Sequence, residues 1–231
     1  KAIAEAVKAD IDGGRAMSKV ALPAWVFARD GVHSAAGSYS ASSDAIRPRS
    51  ALPVYQRQIF PERVLGEKAV SGTTVWENEG VRLWTLPQVD SEIAIISIKS
   101  KNHTLGRDVI IGMQEAMVRA EADYRGAVVW HEAPFAFGAN LKEVTEAINA
   151  GQFDLLEGYV AEFQKSSMAL KYAKVPVVAA VQGMSLGGGC EFLMHCASRV
   201  IALESYIGLV EAGVGLIPAG GGCKEFAIRA W

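Results

Sequence analysis

The sequence predicts an α/β fold in which short, buried, parallel strands alternate with helices. Beyond about residue 80, apolar runs such as "GAVVWH" and "VPVVAAVQG" alternate with longer segments whose apolar residues recur at helical spacing. Glycine-containing loops link these runs to the helices that follow, as in α/β proteins. Half of the 231 residues are hydrophobic and 21% are charged, so the chain can bury a sizeable core.

The front of the chain is less regular than the rest. Residues 1 to about 30 contain short helical patterns broken at Gly13, Gly14 and Pro23. Residues 31–53 are rich in Ser, Ala and Gly and predict a loop or linker. The following segment, up to residue 80, mixes aromatic and charged residues, so we expect it to pack as a strap rather than to form core.

The elements beyond this strap follow from periodicity. "VRLWTL" and "EIAIISIKS", joined by "PQVDS", predict a β-hairpin. A helix is expected over residues 105–121, then the strand "GAVVWH", and two helices between residues 140 and 172. The strand "VPVVAAVQG", a glycine run with a helix, the strand "ASRVIALE" and a last helix after "LIPAGGG" complete the order.

Charge and cysteine content exclude several classes of function. The net charge is −2 and the pI is about 6.1, which gives no electrostatic field for nucleic acid or an anionic membrane. No apolar run approaches the ~20 residues of a membrane span. The three cysteines form no CxxC pair, and no paired-histidine motif is present. We therefore expect no disulfide framework and no metal site, and a reducing, cytoplasmic location.

Two glycine-rich loops are candidates for chemistry, "FAFGANLKEV" and "SLGGGCEF". In each, glycine follows a buried strand and precedes a helix, where free backbone N–H groups favour negative charge. If the loops face each other, one N–H from each could converge on one oxygen as an oxyanion hole. The alternative is that the glycines serve close packing. Neither loop matches the P-loop or the dinucleotide fingerprint.

Two carboxylates accompany these loops. Glu191 begins the helix after the glycine run, and Glu211 lies in an apolar stretch between Val210 and Ala212. Acidic residues are rarely buried unless they are paired or functional. Two glutamates in an apolar pocket could hold and polarise a water, one as base and one as acid. Glu191 alone could equally be a partner of the helix dipole.

The stretch "VPVVAAVQGMSLGGGCEFLMHCASRVIA", followed by "IGLVEAGVGLIPAGGG" and preceded by "APFAFGANLKEV", resembles the enoyl-CoA hydratase (crotonase) superfamily. The resemblance covers residues 73–231. It implies a crotonase-like spiral of ββα units, here truncated at its C-terminus, that binds acyl-CoA thioesters and forms a homo-oligomer, commonly a trimer. By the same resemblance, the backbone N–H groups of Ala139 and Gly188 form the oxyanion hole, and Glu191 and Glu211 are catalytic.

The implied reaction is the hydration of a trans-2-enoyl-CoA to a 3-hydroxyacyl-CoA in fatty-acid β-oxidation. No cofactor is implied, since coenzyme A is part of the substrate. The resemblance also implies substrate or CoA contacts at four further positions, Ala136, Gly138, Lys142 and Gly187. The sequence departs from the family pattern at Asn140, where the family usually has Asp, at Val210, where it has Pro, and in "IPAGGGCKEF".

The front segment has a resemblance of its own. "YQRQIFPERVLGE" and "GTTVWENEGVRLW" resemble the junction in bacterial fusion proteins that carry a 3-hydroxyacyl-CoA dehydrogenase part before a crotonase part. The resemblance implies a dehydrogenase tail over residues 1–44, a linker or strap over 45–72 and a hydratase domain over 73–231. NAD would serve only the absent dehydrogenase part. The missing initiator Met and the uncapped helical ending "KEFAIRAW" lead us to expect a fragment.

Three other hypotheses remain open from the sequence. The domain could be an isomerase that uses one glutamate, or a non-catalytic CoA-binding or assembly domain that lacks a need for Glu191 and Glu211. Ser185 with His195 could suggest a serine nucleophile, although no acid is placed to orient the histidine. His195 lies one helical turn after Glu191 and is expected to be a core or surface residue.

Overall fold

The computed structural model describes residues 2–15, 20–29, 31–34, 36–48, 50–53 and 72–230. The chain divides into two compact units, Lys1–Ser71 and Gly72–Trp231. The predicted domain identities of residues 1–44 and 45–72 stay predictions, and most of the expected strap lies outside the described residues.

The first unit contains a helix and a small sheet. Helix α1 spans Ala2–Asp12, a 3₁₀ turn spans Ala24–Val26, and the antiparallel sheet consists of β1 (His33–Ser34), β2 (Gly37–Ser40) and β3 (Ala45–Arg47). The expectation of a loop or linker over residues 31–53 is therefore wrong for the strand residues. Tyr39 explains the order, since its ring packs 5.2 Å from Trp25 and beneath the guanidinium of Arg29.

The second unit is built on a six-stranded sheet of order β10-β8-β7-β6-β5-β4 and a separate parallel pair, β9 and β11. The strands are β4 (Thr73–Glu77), β5 (Val81–Leu86), β6 (Asp90–Ile98), β7 (Gly126–Val129), β8 (Val177–Val181), β9 (Met184–Leu186), β10 (Ser198–Ile201) and β11 (Tyr206–Gly208). The predicted hairpin of β5 and β6 is confirmed, and β6, β7, β8 and β10 are parallel.

Three strands correct the sequence-based expectations. The residues of β4 were expected to belong to the strap, but they form the edge strand of the main sheet. An edge strand with mostly exposed side chains has no alternating apolar pattern, so periodicity misses it. Strands β9 and β11 were expected to be parts of glycine-rich segments, because three residues are too few for a periodic signal.

Helices cover this sheet and complete the core. They are α2 (Arg107–Asp123), α3 (Leu141–Asn149), α4 (Phe153–Lys171), α5 (Gly188–His195) and α6 (Gly222–Ala230), with 3₁₀ turns at Lys101–His103 and Glu211–Val214. All five helices were predicted from their spacing. The core contains buried residues of the sheet, α2, α4 and α5, and large side chains such as Leu83, Ile96 and Met113 are fully buried.

Candidate active site

The two glycine-rich loops lie in contact, as the oxyanion hypothesis required. Gly138 has a φ of +81°, and a Cβ placed there would lie 2.8 Å from the O of Leu186 and 3.2 Å from the N of Gly188. Ala136 of the first loop forms a parallel bridge with Ser185 of β9, which leads into the glycine run. Glycine at this position permits both the left-handed φ and the close approach of two backbones.

Each loop presents a backbone N–H of the kind that the hypothesis needs. The N–H of Leu105 donates to the O of Gly138 at 2.8 Å, and the N–H of Asn140 donates to the O of Leu105 at 3.2 Å. This pairing uses the peptide groups on either side of Ala139, so the N–H of Ala139 itself points away from Leu105. Gly188 is the first residue of α5, where an N–H has no acceptor within the helix.

Glu191 lies in the first turn of α5 and is only 1% exposed. Its Oε1 accepts a hydrogen bond from the N–H of Gly222 at 2.8 Å, and a Cβ at Gly220 would lie 2.7 Å from its Oε2. Burial raises the pKa of the Glu191 carboxyl above its ordinary 4.5, the charge of Glu211 raises it further, and the N–H groups of Gly222 and Gly220 oppose the rise. A raised pKa brings this carboxyl closer to the range where it can exchange protons near neutral pH.

Glu211 approaches the glycine run from the other side. It begins the 3₁₀ turn after β11, and its Oε1 would lie 3.1 Å from a Cβ on Gly187. Its Oε2 is buried and has no hydrogen-bond partner among the described residues. A buried, unpaired carboxylate oxygen is costly unless something binds it. The structure thus brings both predicted glutamates to the same glycine run.

Cys190 lies close enough to Glu191 and Glu211 for both charges to affect its thiol. Burial first, and then the charges of Glu191 and Glu211, raise the pKa of its thiol to about 11. A thiol with a raised pKa stays protonated at neutral pH and is a poor nucleophile. Cys190 therefore fills space beside the two carboxylates, as a small buried residue does.

The other predicted contact residues are placed differently. The side chain of Lys142 is 83% exposed on the first turn of α3, with its Nζ 3.8 Å from Glu146. Gly187 has a φ of +53° and precedes α5 directly. Ala136 is fully buried, and its N–H donates to the O of Met184 at 3.1 Å. The substrate-binding roles of these three residues, and of Gly138, stay predictions.

Asn140, one of the departures from the family pattern, has a local role. Its Oδ1 accepts from the N–H of Lys142 at 3.3 Å and caps helix α3. Its Nδ2 donates to Oε1 of Glu143 at 2.6 Å, a bond that an ionised Asp could not donate. Oε2 of Glu143 in turn accepts from the N–H of Arg107, so the Glu143 carboxylate connects the first turns of α2 and α3, and the Asn140 amide holds that carboxylate.

The structure does not pair Ser185 with His195. His195 is buried in α5, where its Nδ1 lies 2.7 Å from the O of Glu191 and donates to it, because a carbonyl can only accept. Its Nε2 faces Glu225 at 3.7 Å. Of the two placements expected for His195, core or surface, the structure shows the core one. Both ring nitrogens are directed away from Ser185, so the two residues do not form a serine–histidine nucleophile.

A groove of about 760 Å³ lies between α2, α3 and α4. Its wall includes the apolar side chains Ile110, Val144 and Leu156 and the ring of Tyr159. The hydroxyl of Tyr159 donates to the O of Leu105, the residue that also pairs with the first glycine loop. Leu105 therefore bonds both to the wall of the groove and to the predicted oxyanion loop.

The segment Gly220–Gly222 is the part of the site that sequence reasoning missed. The sequence showed only a glycine-rich approach to the last helix, and nothing local indicates that a backbone N–H from it reaches Glu191, 31 residues earlier in the chain. The one available signal was the run of three glycines itself, which resembles the run at Gly187–Gly189. Such runs let backbone approach a side chain closely.

Comparison with known proteins decides the family. The enoyl-CoA hydratase/isomerase family matches residues 88–230, which is more than half of the chain. The chain belongs to the enoyl-CoA hydratase/isomerase family. The crotonase resemblance seen in the sequence is thereby confirmed.

Several relatives are longer proteins. The chain is 37% identical over 146 residues to a probable 3-hydroxyacyl-CoA dehydrogenase of Bacillus subtilis (63% of this chain, 18% of that protein). It is 35% identical over 157 residues to a putative fatty acid oxidation complex trifunctional enzyme of Rickettsia felis (68% and 21%). A probable enoyl-CoA hydratase of Rhizobium meliloti is 36% identical over 102 residues (43% and 37%). The chain spans about a fifth of the length of the first two relatives.

Solved structures share the fold of the chain. An enoyl-CoA hydratase from Bacillus anthracis superimposes with a TM-score of 0.53 at 25% identity, over 59% of this chain and 54% of that one. The Pseudomonas aeruginosa protein DspI gives a TM-score of 0.58 at 24% identity, over 66% and 61%. The predicted α/β, crotonase-like fold class is therefore confirmed.

Other kinds of site are not indicated in the described part of the chain. No group of three or more His, Cys, Asp or Glu side chains there could hold a metal ion. All three cysteines are free, with Cys190 and Cys196 buried and Cys223 exposed. Among the described helices, none has the length and apolar character needed to cross a membrane.

Proposed function

We propose that this chain carries the active site of an enoyl-CoA hydratase, which adds water to a trans-2-enoyl-CoA to give a 3-hydroxyacyl-CoA. The observation that carries the proposal is the approach of two carboxylates, the buried Glu191 and the partly buried Glu211, to one glycine run whose first helical N–H is free of intrahelical bonding. A protein that only bound CoA would gain nothing from two acids there. Their burial costs free energy that catalysis can justify.

The two glutamates would act together on one water. One carboxylate takes a proton from the water as its oxygen bonds to C3, and a proton is delivered to C2, so the C2–C3 double bond becomes a single bond. The unpaired Oε2 of Glu211 supports this role, since it is a buried acceptor to which a water could donate a hydrogen bond. The raised pKa of Glu191 supports proton exchange at this site.

The glycine loops would stabilise the charge that forms. Addition at C3 moves electron density onto the thioester oxygen, which becomes enolate-like. The N–H groups of Ala139 and Gly188 are suited to donate to that oxygen, because the first is directed away from Leu105 and the second, at the start of α5, has no acceptor within the helix. Loss of one such donor typically costs about 2.7–4 kcal/mol in the activation barrier.

The groove between α2, α3 and α4 is where we place the acyl chain. Its volume of about 760 Å³ falls in the range of small-molecule pockets, and its wall combines apolar side chains with a few polar groups. Lys142, exposed on the first turn of α3, is then the predicted partner for a CoA phosphate. The homo-oligomer and the cytoplasmic location stay predictions.

The parent protein is proposed to be bifunctional. Relatives named as a probable 3-hydroxyacyl-CoA dehydrogenase and as a trifunctional fatty acid oxidation enzyme support this. The hydratase product is the substrate class of such a dehydrogenase, which would use NAD. The hydratase reaction itself needs no cofactor.

The test follows the absorbance of the conjugated enoyl thioester of crotonyl-CoA with the chain and with its full-length parent. Hydration removes the conjugation, so the absorbance falls. A 3-enoyl-CoA is the matched substrate for the isomerase alternative, since its isomerisation makes the absorbance rise. A fall with crotonyl-CoA and little response to the 3-enoyl thioester supports the hydratase; the reverse pattern would favour the one-glutamate isomerase.

A further inference from the structure

Glu225 is a second buried acid close to the site, and the proposed reaction does not use it. Its side chain is 0% exposed. Lys171, from the last turn of α4, and Arg229, one turn further along α6, both donate to its carboxylate, and the Nζ of Lys224 lies at 3.2 Å. Four charged groups on two helices thus meet in what we call the Glu225 cluster, formed by Lys171, Lys224, Glu225 and Arg229.

The Glu225 cluster is connected to Glu191 through Gly222. Glu225 lies one turn after Gly222, whose N–H donates to Oε1 of Glu191 at 2.8 Å. His195 lies beside both acids but does not bond Glu225: its Nδ1 donates to the backbone O of Glu191 at 2.7 Å, and its Nε2, 3.7 Å from Glu225, has no hydrogen-bond partner among the described residues. The carboxylate of Glu191 is therefore tied to the helix that the cluster holds.

Within the described residues, the contacts that hold α6 are mainly those of this cluster. Gly222 and Glu225 are its only buried residues within the described part of the chain, and the apolar side chains of Phe226 and Ile228 are 47% and 57% exposed. Arg229 also donates to the O of Met194 on α5 at 2.6 Å. A short helix without an apolar anchor is positioned by its polar contacts, and buried ion pairs are strongly sensitive to loss of one partner.

We propose that Glu225 is a positioning residue, which docks the first turn of α6 so that the N–H of Gly222 stays on the carboxylate of Glu191. The proposal rests on the proposed function only in taking Glu191 as catalytic. It predicts that loosening the cluster reduces the rate of hydration without changing substrate binding. It also predicts a change in the amide proton shift of Gly222, which can be measured without an activity assay.

The variant Lys171→Met/Glu225→Gln removes one charge of each sign and keeps the net charge of the cluster. In the unaltered chain, the amide proton shift of Gly222 should follow the titration of Glu191, and Glu191→Gln should abolish that response. In the double variant we expect the response of Gly222 to be largely lost, because the amide no longer donates to the carboxylate. The control, Glu92→Gln/Arg125→Met, removes an exposed pair distant in the fold and should leave the response intact.

Steady-state kinetics provide the second readout. We expect the double variant to lower kcat about tenfold or more and to change KM by less than about twofold, as for a group that orients a catalytic residue. If it does not fold, Arg229→Met, at a half-exposed position, should give the same changes to a smaller degree. A full Gly222 response in the variants would overturn the proposal. If the unaltered chain and parent do not hydrate crotonyl-CoA, the proposed function fails, and the Gly222 amide still decides the positioning role.

Discussion

Gly222 donates its backbone N–H to the carboxylate of Glu191 at 2.8 Å, across 31 residues of sequence. The bond joins the start of α6 to the first turn of α5. It fixes one oxygen of Glu191 and leaves the other beside Gly220. A backbone N–H orients this buried carboxylate before substrate binds. A long donor side chain in its place would lose conformational freedom on forming the same bond, and the backbone donor avoids that cost.

Gly220→Ala tests how closely the backbone must approach Glu191. The new Cβ would lie 2.3 Å from a ring carbon of Phe163 and 2.7 Å from Oε2 of Glu191, so the carboxylate or the loop must move. We expect hydration of crotonyl-CoA to fall at least about tenfold, with a loss of about 1–3 kcal/mol in the free energy of unfolding. Gly31→Ala, where the nearest atom is at 3.7 Å, is the control and should change neither quantity.

Gly138→Ala tests the first oxyanion loop. Its φ of +81° strains any residue with a Cβ, and the Cβ would press on the O of Leu186 at 2.8 Å and the N of Gly188 at 3.2 Å. Moving the loops apart should cost about 10²–10³-fold in kcat, as for loss of an oxyanion donor. Stopped-flow or steady-state kinetics measure this. An unchanged kcat in a folded variant would show that the contact between the loops is not needed for the reaction.

Glu211→Gln should lower the pKa of Glu191. The charge of Glu211 contributes to the rise of that pKa, whose first cause is burial, so a neutral side chain of the same shape leaves only the effect of burial opposed by the N–H groups of Gly222 and Gly220. Carbon-13 NMR of the side-chain carboxyls measures the midpoint of the Glu191 titration. The Glu191 signal is assigned by its absence in Glu191→Gln. Glu204→Gln, in an exposed turn, is the control. A midpoint that rises in Glu211→Gln would contradict the electrostatic coupling.

His131 should make the fold sensitive to acid. It is buried beside His103, donates from Nε2 to the O of Phe135, and accepts at Nδ1 from the N–H of Ile98 at 3.3 Å. Burial first and the charge of His103 second lower its pKa from 6.5 to about 3, against the opposing bond to Phe135. As pH falls below 6.5, His131 binds a proton in the unfolded chain, whereas in the folded chain it does so only near pH 3.

The stability contributed by neutral His131 is therefore present above pH 6.5 and is lost as pH falls towards 3, by about 1.4 kcal/mol per pH unit for one proton. Urea unfolding between pH 7 and pH 4 measures the slope. His131→Gln keeps a donor and an acceptor but does not titrate, so it should flatten the slope by that amount. His33→Gln, an exposed substitution in the first unit, should leave it unchanged.

Local patterns in the sequence predicted most of the second unit. The hairpin of β5 and β6 and the helix α2 follow from alternating and helical spacing, because their apolar faces are buried against one another. Strand β4 could not be predicted in this way, since its exposure removes the pattern. The sheet of the first unit was also missed, because its serine-rich strands depend on the packing of Tyr39 against Trp25, not on composition.

The candidate site was predictable to the extent that its parts are contiguous in sequence. The glycine run with Glu191 is one motif, and Gly138 with Ala139 is another, so each could be recognised locally. The contacts that complete the site are between distant segments. Lys171 reaches Glu225 across 54 residues, and no periodicity encodes such a bond. Residues that act through backbone donors or ion pairs become visible only once the fold is known.

In the proposed mechanism, Glu191 and Glu211 act as a unit on one water. Its most direct test is the rate of crotonyl-CoA hydration by the parent protein with Glu191→Gln, Glu211→Gln and the double variant. If the carboxylates act together, each single variant should lose about 10³-fold or more in kcat, and the double variant should be about as slow as the worse single one. Losses that multiply, or a single variant that keeps full activity, would contradict a shared water between the two glutamates.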